Sequence, residues 1–587
     1  MTGQVLRVAN CSGFYGDRLS AMREMLEGGE VDVLTGDYLA ELTLLILGRD
    51  RMRDPSLGYA RTFLKQAEDC MGLALERGVR IVSNAGGLNP AALAEKLREV
   101  ATGLGLSPRV AHIQGDDLVD RAAELELGRP LTANAYLGAF GIATALQRGA
   151  DIVVTGRVTD ASVVVGPAVA HFGWSRTDYD RLAGAVVAGH VIECGTQATG
   201  GNFSGFRSLR PDTTPIGFPI AEISDDGSSV ITKHAGTGGA VTLDTVTAQL
   251  VYEIQSQIYL GPDVSAHLES VELTEDGEDR VRISGVLGQA PPPQLKVCVN
   301  ELGGFRNTLE FVLTGLEIDA KADWVRAQLE AALAANPPAS VDWTLARTDR
   351  DDASTEEAAS CRLRVTVRDP DADVVGKAFT AAAVELGLAS YPGFTLTGPP
   401  APATPYGIYR AGYVGQGHVA HTVVHADGTT EHVDAPPETR RVDEAPGTAT
   451  GTKQSPDADD GDARVAADAP ADVVTRRLPL GTFVHARSGD KGGDANLGLW
   501  VDRSTKAEER VAWLTKLVTF DRVRELVPEA EDLEVEIYPL PNLGAVNVVL
   551  RGLLGEGVAA SSRFDPQAKG LGEWVRSRHV SITEDLL

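Results

Sequence analysis

Residues 1 to about 180 alternate short apolar runs with longer amphipathic stretches, and this alternation constrains the fold more than any other feature. The apolar runs cover residues 5–8, 31–34, 80–82, 110–113 and 151–154. Runs of this length that are rich in Val, Ile and Leu are typical of strands covered on both faces. One intervening stretch, residues 90–102, starts with Pro90 after Asn89, which is a helix-start signal. The pattern predicts βαβ units and a Rossmann-like parallel sheet in an α/β fold.

Each of the five apolar runs leads into a small polar or glycine-rich loop. These loops are Asn10-Cys11-Ser12-Gly13, Thr35-Gly36-Asp37, Asn84-Ala85-Gly86-Gly87, Gln114-Gly115-Asp116-Asp117 and Thr155-Gly156-Arg157. The carboxyl ends of parallel strands share one sheet edge, where ligands bind. One such loop would be an ordinary turn, but five in succession predict a shared site. Neither GxGxxG after the first strand nor GxxxxGK[ST] occurs, so we expect no nucleotide cofactor.

The rest of the chain divides into segments that differ in amino-acid composition and in predicted structure. Glycine-rich turns and β-prone runs fill residues 186–300 and complete a predicted core of residues 1–300. Residues 301–434 read strand, helix, strand, strand, helix, which favours a ferredoxin-like unit. Residues 435–476 contain no aromatic residue and are rich in Ala, Asp and Pro, which predicts an acidic disordered linker. Residues 477–587 are expected to form a second compact α+β unit of strands and helices.

Charge and cysteine content narrow the function classes. Lys and Arg number 54 against 82 Asp and Glu, for a net charge of −28, so we expect no binding to nucleic acid or to a membrane surface. An anionic ligand would need a local cradle of backbone N–H groups and basic side chains. Five scattered cysteines without a CxxC pair, and no signal-peptide pattern, favour the cytoplasm.

The densest chemical motif spans residues 189–204 and places His190, Glu193 and Cys194 within five residues. A thiol near an imidazole can become a nucleophile, and His or Glu can move protons at a substrate α-carbon. The following turn, Thr199-Gly200-Gly201-Asn202, could offer N–H groups to an oxyanion. The alternative is structural: His190 and Cys194 pack in the core and Glu193 forms a salt bridge, since a buried Cys is usually inert.

A second motif, residues 487–496, mixes two cations, two acids and three glycines between predicted strands. Arg487 and Lys491 could hold a carboxylate or phosphate, with loop N–H groups completing the cradle. The alternative is a charged hairpin whose polar residues cap turns. The length of the motif favours ligand binding or interdomain docking over a minimal hairpin.

Two further groups of residues are candidate sites. At the end of the fifth strand Arg157 is placed as an anion clamp, while Asp160 could be a helix cap or a catalytic group. His418, His421 and His425 would align on a helix, but the Val and Thr residues between them indicate a strand. We therefore expect no metal site there.

Several long motifs resemble one known family. Residues 1 to about 430 contain CSGFYGDR, TGDYLAE, SNAGGLNP, TGRVTDAS, GHVIECGTQATGGNF, ITKHAGTGG and YEI, and residues 477–587 contain HARSGDKGGDANLG and SSRFDPQAKG. They resemble the acyclic terpene utilisation AtuA-like family and the ferredoxin-fold domain that accompanies it. The resemblance implies a role in breakdown of acyclic monoterpenes such as citronellol and geraniol, which proceeds through CoA thioesters, and a ferredoxin-like fold for residues 477–587.

Motifs and resemblance together define the candidate residues. The catalytic candidates are Asp37, Asp160, His190, Glu193 and Cys194. The substrate-binding candidates are Ser12, Gly13, Asn84, Gly86, Gly87, Arg157, Thr199, Gly200, Gly201, Asn202, Arg487, Ser488, Gly489, Asp490, Lys491 and Asn496.

The functional hypothesis is an enzyme that acts on a branched acyl-CoA or related carboxylate by proton transfer, meaning hydration, dehydration or C–C lysis. One alternative is acyl transfer or thioester hydrolysis through Cys194. Another is a non-catalytic binding or assembly subunit of an acyl-CoA-processing complex. We expect a small-molecule partner, no metal or cofactor, and a homo-oligomer.

Overall fold

The computed structural model describes residues 5–209, 213–441, 452–455, 474–503 and 506–587. One compact unit contains the described parts of residues 1–300, 409–558 and 565–587, and a second contains residues 301–408 and 559–564. Within the described ranges, no helix combines the length and apolar character needed to cross a bilayer. The mixed α/β class is confirmed, whereas the domain boundaries stay predictions.

The first part of the chain alternates strands with helices, as its sequence predicts. Its strands are β1 (Leu6–Asn10), β2 (Val33–Gly36), β3 (Arg80–Ser83), β4 (Val110–Gln114), β5 (Thr132–Ala135), β6 (Ile152–Thr155), β7 (Pro219–Ile223), β8 (Ser229–Lys233), β9 (Ile258–Leu260), β10 (Ser265–His267), β11 (Glu272–Glu275), β12 (Val281–Ser284) and β13 (Leu287–Gln289). Its helices are α1 (Ala21–Gly28), α2 (Glu41–Arg53), α3 (Arg61–Glu76), α4 (Pro90–Gly103), α5 (Phe140–Gln147), α6 (Ser162–Phe172), α7 (Tyr179–Ile192) and α8 (Leu243–Leu250). The predicted cap of α4 is confirmed, since the Asn89 side chain accepts the Ala92 N–H.

The five predicted strands lie side by side and parallel, in the order β1-β2-β3-β6-β4. Antiparallel strands extend this sheet at both edges. Alternate side chains enter two different cores: Val153 packs into one, and its neighbours Ile152 and Val154 pack into the other. The strands are therefore covered on both faces, which explains their continuous apolar character. A Rossmann-like classification of this sheet stays a prediction.

The second part of the chain carries strands β14 (Gln294–Thr314), β15 (Ser340–Ala346), β16 (Ser360–Asp369), β17 (Thr395–Leu396), β18 (Thr404–Gly415), β19 (Thr422–Val424) and β20 (Thr430–His432), with helices α9 (Ile318–Leu333) and α10 (Phe379–Glu385). The second unit contains an antiparallel sheet in the order β15-β16-β14-β17. A helix follows β14 and another follows β16, so the predicted strand–helix–strand–strand–helix order is confirmed.

Most of the predicted linker, residues 435–476, lies outside the described residues. Within it, β21 (Thr452–Gln454) is a strand that pairs with residues 535–537. This stretch differs from the predicted disorder because it adds to the edge of a sheet. A second strand, β22 (Thr475–Pro479), overlaps the linker's end and pairs with residues 579–583.

The C-terminal part contains β23 (Val484–Lys491), β24 (Asp494–Val501), α11 (Ala507–Leu517), α12 (Phe520–Leu526), β25 (Val535–Leu540), β26 (Ala545–Leu550), α13 (Leu571–Ser577) and β27 (His579–Thr583). Its main sheet has the antiparallel order β21-β25-β26-β24-β23.

The interpretation of residues 487–496 as too long for a minimal hairpin is wrong. Strands β23 and β24 continue to Lys491 and Asp494, which pair directly, so only Gly492 and Gly493 form the turn. Gly492 has φ +71°, the left-handed conformation that short hairpin turns require. The polar and charged residues of these strands mask the strand pattern in the sequence.

Replacing Gly492 with Ala is expected to destabilise the hairpin. The left-handed φ costs about 1 kcal/mol, and overpacking against the Tyr409 ring, 2.3 Å from the new Cβ, costs about 1–3 kcal/mol more. Gly552→Ala is the matched control, because φ is +74° there and no atom lies within 4 Å of its Cβ. Urea unfolding should show the larger loss for Gly492→Ala, and equal losses would contradict the steric argument.

Candidate functional site

The loop after β1 packs directly on the end of α7, where the densest motif begins. Asn10 Nδ2 donates to the carbonyl of Glu193 at 3.3 Å and to that of Ser12 at 3.1 Å. A Cβ on Gly13 would lie 2.6 Å from the carbonyl carbon of Cys194, so only glycine permits this approach. The expected meeting of the first strand end with residues 190–202 is therefore present.

The next two loops join the same cluster through buried polar groups. The Asp37 N–H donates to the Ser12 carbonyl at 2.9 Å, and Asn84 Nδ2 donates to Asp37 Oδ1 at 2.5 Å. Asn84 Oδ1 also accepts the Tyr38 N–H at 2.8 Å. Burial, and then the charge of Asp160, raise the pKa of Asp37 well above its usual range. Asp37 is therefore a candidate proton carrier at neutral pH.

The fourth and fifth loops meet around Arg157. Asp116 Oδ2 accepts the Arg157 N–H at 2.8 Å, and burial raises the pKa of Asp116 to about 7. The Arg157 guanidinium bonds Asp160 Oδ1 at 2.6 Å and lies 4.2 Å from the centre of the Tyr136 ring. Arg157, which we expect to bind an anion, is thus already paired with the carboxylate of Asp160.

The centre of the cluster is a hydrogen-bonded acid–base pair on the last turn of α7. His190 Nδ1 and Glu193 Oε1 lie 3.1 Å apart, with the two residues 2% and 4% exposed. Burial, and then Lys491, lower the pKa of His190 to about 4. Burial, and then Asp160, raise the pKa of Glu193 well above its usual range. Burial therefore favours the uncharged form of both groups, a neutral imidazole and a protonated carboxyl group.

The outer atoms of this pair are Glu193 Oε2 and His190 Nε2, and the Gln249 backbone lies against the His190 ring. Glu193 Oε2 is buried and has no hydrogen-bond partner, and His190 Nε2 lacks one with good geometry, within the described part of the chain. Buried polar atoms are normally paired, so each unpaired one calls for an explanation. A bound polar group would supply the missing partners.

Cys194 is the partly exposed member of the five cysteines. Burial of its thiol, and then the charges of Glu253 and Glu193, raise the pKa of Cys194 well above its usual value. The thiol is therefore held protonated, which disfavours a thiolate nucleophile.

The hairpin of β23 and β24 docks on this cluster. Arg487 donates to the Asn202 carbonyl at 3.1 Å and to Gln197 Oε1, and its guanidinium lies over the Tyr252 ring. Ser488 Oγ donates to the Ala568 carbonyl at 2.6 Å. Both side chains thus have protein partners, which favours the docking interpretation for them over ligand binding.

The tip of the hairpin carries the charges that reach the acid–base pair. Lys491 is partly exposed and acts on both His190 and Glu193. Burial, and then the nearby Glu253, raise the pKa of Asp490 to about 8. These two residues are therefore candidates for direct contact with a ligand.

Sequence reasoning did not single out a second group beside Arg157. Tyr136 donates to Glu41 Oε1 at 2.8 Å, and Lys296 Nζ lies 3.3 Å from the same oxygen. Lys296 also lies 5.6 Å from the centre of the Tyr409 ring. A sequence motif could have pointed to Glu41, because this residue ends TGDYLAE after β2. No such motif marks Lys296 and Tyr409, which come from distant strands.

The remaining candidates shape the loops around the pair. Thr199 Oγ1 donates to the Gly217 carbonyl at 2.6 Å, and Asn496 bonds the backbone at Val251 and Glu253. The glycines Gly86, Gly87, Gly200, Gly201 and Gly489 are each closely approached by neighbouring atoms. Their roles in substrate binding stay predictions.

The histidines His418, His421 and His425 do not lie together on one helix. Residues 422–424 are strand β19, as the Val and Thr content predicts, and His421 lies just before it while His425 lies just after it. No group of three or more His, Cys, Asp or Glu residues in the described ranges has the arrangement of a metal site.

Comparison with known families agrees with the motifs. The model of the acyclic terpene utilisation family protein AtuA matches residues 6–425, and that of the AtuA ferredoxin-like domain matches residues 478–581. No curated protein matches the chain, and no solved structure matches it. The matched ranges contain every residue of the cluster described above.

The buried His190 should make folding sensitive to acid. The pKa of His190 is about 4 in the folded protein against an ordinary 6.5, so the unfolded chain binds the extra proton first as pH falls. The contribution of the neutral His190 to the free energy of unfolding should be fully present above pH 6.5. Roughly 2–3 kcal/mol of it should be lost by pH 4. His190→Gln should show a smaller loss than the unmodified protein in urea unfolding across this range. The exposed His432→Gln should not, and a parallel pH dependence for all three proteins would contradict the assignment.

Proposed function

Because the chain belongs to the acyclic terpene utilisation family AtuA, we propose that it is an enzyme performing proton transfer on a branched carboxylate or its CoA thioester. The observation that supports this proposal most directly is the buried His190–Glu193 pair, in which one hydrogen bond joins a neutral base and a protonated acid. Pairs whose surroundings push their pKa values apart are typical of acid–base catalysis.

The chemistry follows from the two outer atoms of the pair. His190 Nε2 accepts a proton from the carbon beside the carbonyl group, and Glu193 Oε2 donates its proton to an oxygen atom of the substrate. The hydrogen bond between Nδ1 and Oε1 then lets the pair exchange the proton internally. Dehydration beside a carbonyl group uses these two steps as written, and hydration and C–C lysis use them in reverse, with Glu193 taking a proton from oxygen and His190 giving one to carbon.

Local positive charge supports an anionic substrate despite the net charge of −28. Lys491 and Lys569 are both partly exposed: Lys491 acts on the pair, and Lys569 acts on the adjacent Cys194 and donates to the Tyr252 hydroxyl at 2.6 Å. Ammonium groups at this position would polarise a carbonyl oxygen or bind a carboxylate.

The protonated Cys194 thiol weighs against the acyl-transfer alternative. A nucleophilic cysteine needs an electropositive surrounding, but Glu253, Glu193 and burial all act against its thiolate. The assembly-subunit alternative does not account for the unpaired Glu193 Oε2.

Turnover is the direct test of this proposal. Incubation with the CoA thioesters of citronellic and geranic acids, followed by mass spectrometry in deuterated water, should show product or isotope incorporation. His190→Gln and Glu193→Gln should each lower the rate by about 10²–10⁴-fold. His421→Gln is the control, because it replaces a partly buried histidine outside the pair.

Three outcomes would overturn the proposal. Full turnover by both variants would remove the pair from the chemistry. An acyl group trapped on Cys194 and lost in Cys194→Ser would indicate acyl transfer. An inert protein that co-purifies with an acyl-CoA enzyme would indicate an assembly subunit.

A further inference from the structure

Glu253 has an unusual backbone for its residue type. It lies after α8 with φ +54°, the left-handed region that residues with a Cβ atom avoid. Glycine or asparagine would adopt this conformation with less strain. Strain of this kind persists only when the surroundings impose it, and it concentrates at functional sites.

Two buried asparagines of the C-terminal part impose this conformation. Asn496 Oδ1 accepts the Glu253 N–H at 2.8 Å, and Asn496 Nδ2 donates to the Val251 carbonyl at 3.1 Å. Asn547 Nδ2 donates to the Ile254 carbonyl at 3.2 Å. The asparagines lie on the adjacent strands β24 and β26, are at most 1% exposed, and bond each other. The turn is thus held on both sides by one sheet.

The hairpin also leaves space for the Glu253 side chain. A Cβ on Gly489 would lie 2.4 Å from the Tyr252 ring and 3.2 Å from Glu253 Cγ. The carboxylate is thereby kept near the acid–base pair, where its charge acts on both His190 and Glu193. It opposes Lys491, which acts on the same two residues with the opposite sign.

We propose that Glu253 is a positioning residue of the site, through which the C-terminal part controls where the proton of the His190–Glu193 pair resides. Asn496 and Asn547 fix the backbone of Glu253, and the fixed carboxylate adds to burial and to Asp160 in favouring the protonated form of Glu193. This inference rests on the proposed function, because it gives the pair its role as acid and base. Several charged or titratable groups face Glu193 besides Glu253: they are His190, Asp160, Arg157, Lys491, Cys194 and Tyr259.

The test follows the protonated carboxyl group of Glu193 by infrared spectroscopy as pH is raised, with Glu193→Gln identifying its absorption band. Glu253→Gln keeps the shape and removes the charge, so the titration midpoint of Glu193 should fall by roughly half a pH unit to one unit. Glu278→Gln, an exposed glutamate in the turn between β11 and β12, is the matched control and should leave the midpoint unchanged.

Two further variants distinguish the effect of the Glu253 charge from the effect of the hydrogen bonds that hold its turn. Asn496→Ala keeps the charge but releases the turn, so the Glu193 midpoint should also fall. Glu253→Gly relieves the backbone strain, so it should match Glu253→Gln in the midpoint and melt at the same or a higher temperature. A purely structural role for Glu253 would change melting without moving the midpoint.

The inference is wrong if Glu253→Gln leaves the Glu193 midpoint at its original pH. Control by the C-terminal part is wrong if Glu253→Gln moves the midpoint and Asn496→Ala does not. None of these readings uses turnover. A protein inert towards thioesters but with a shifted midpoint would therefore overturn only the proposed function, and an active protein with an unmoved midpoint would overturn only this inference.

Discussion

Burial of the His190–Glu193 pair is the constraint on which the site depends. In water the two groups would titrate independently near their ordinary values, but at 2% and 4% exposure the charged forms are disfavoured. Burial therefore favours a pair without net charge. The loop after β1 packs on the end of the helix that carries the pair, since Asn10 donates to the Glu193 carbonyl, and Asp160 after β6 acts on Glu193.

The C-terminal part contributes to the same site. It matches its own family model, yet its hairpin carries Lys491 to the pair, and its asparagines brace the turn at Glu253. Trp500 extends this contact, since its Nε1–H donates to Asp244 Oδ1 at 3.2 Å. The two matched ranges therefore act as one structure at this point, although they are separated by more than 50 residues of sequence.

Local patterns predicted local structure well and distant contacts poorly. The β-strand runs and the Asn89 cap of α4 were readable because they depend on neighbouring residues. The hairpin at residues 487–496 was misread because its strands are polar, and polarity masks a strand that packs on protein groups. Glu253 and Lys569 lay within the matching motifs YEI and SSRFDPQAKG, but only their positions in space single them out.

The sequence alone determined the mixed α/β class, the polar strand ends and the proximity of His190, Glu193 and Cys194, since these follow from periodicity and spacing along one segment. Tertiary structure decided which of these residues work together. It placed Lys491 beside the pair, engaged Arg157 with Asp160, and raised the pKa of the Cys194 thiol. The physical reason is that burial and long-range charge set proton affinity, and both depend on chain segments that are distant in sequence.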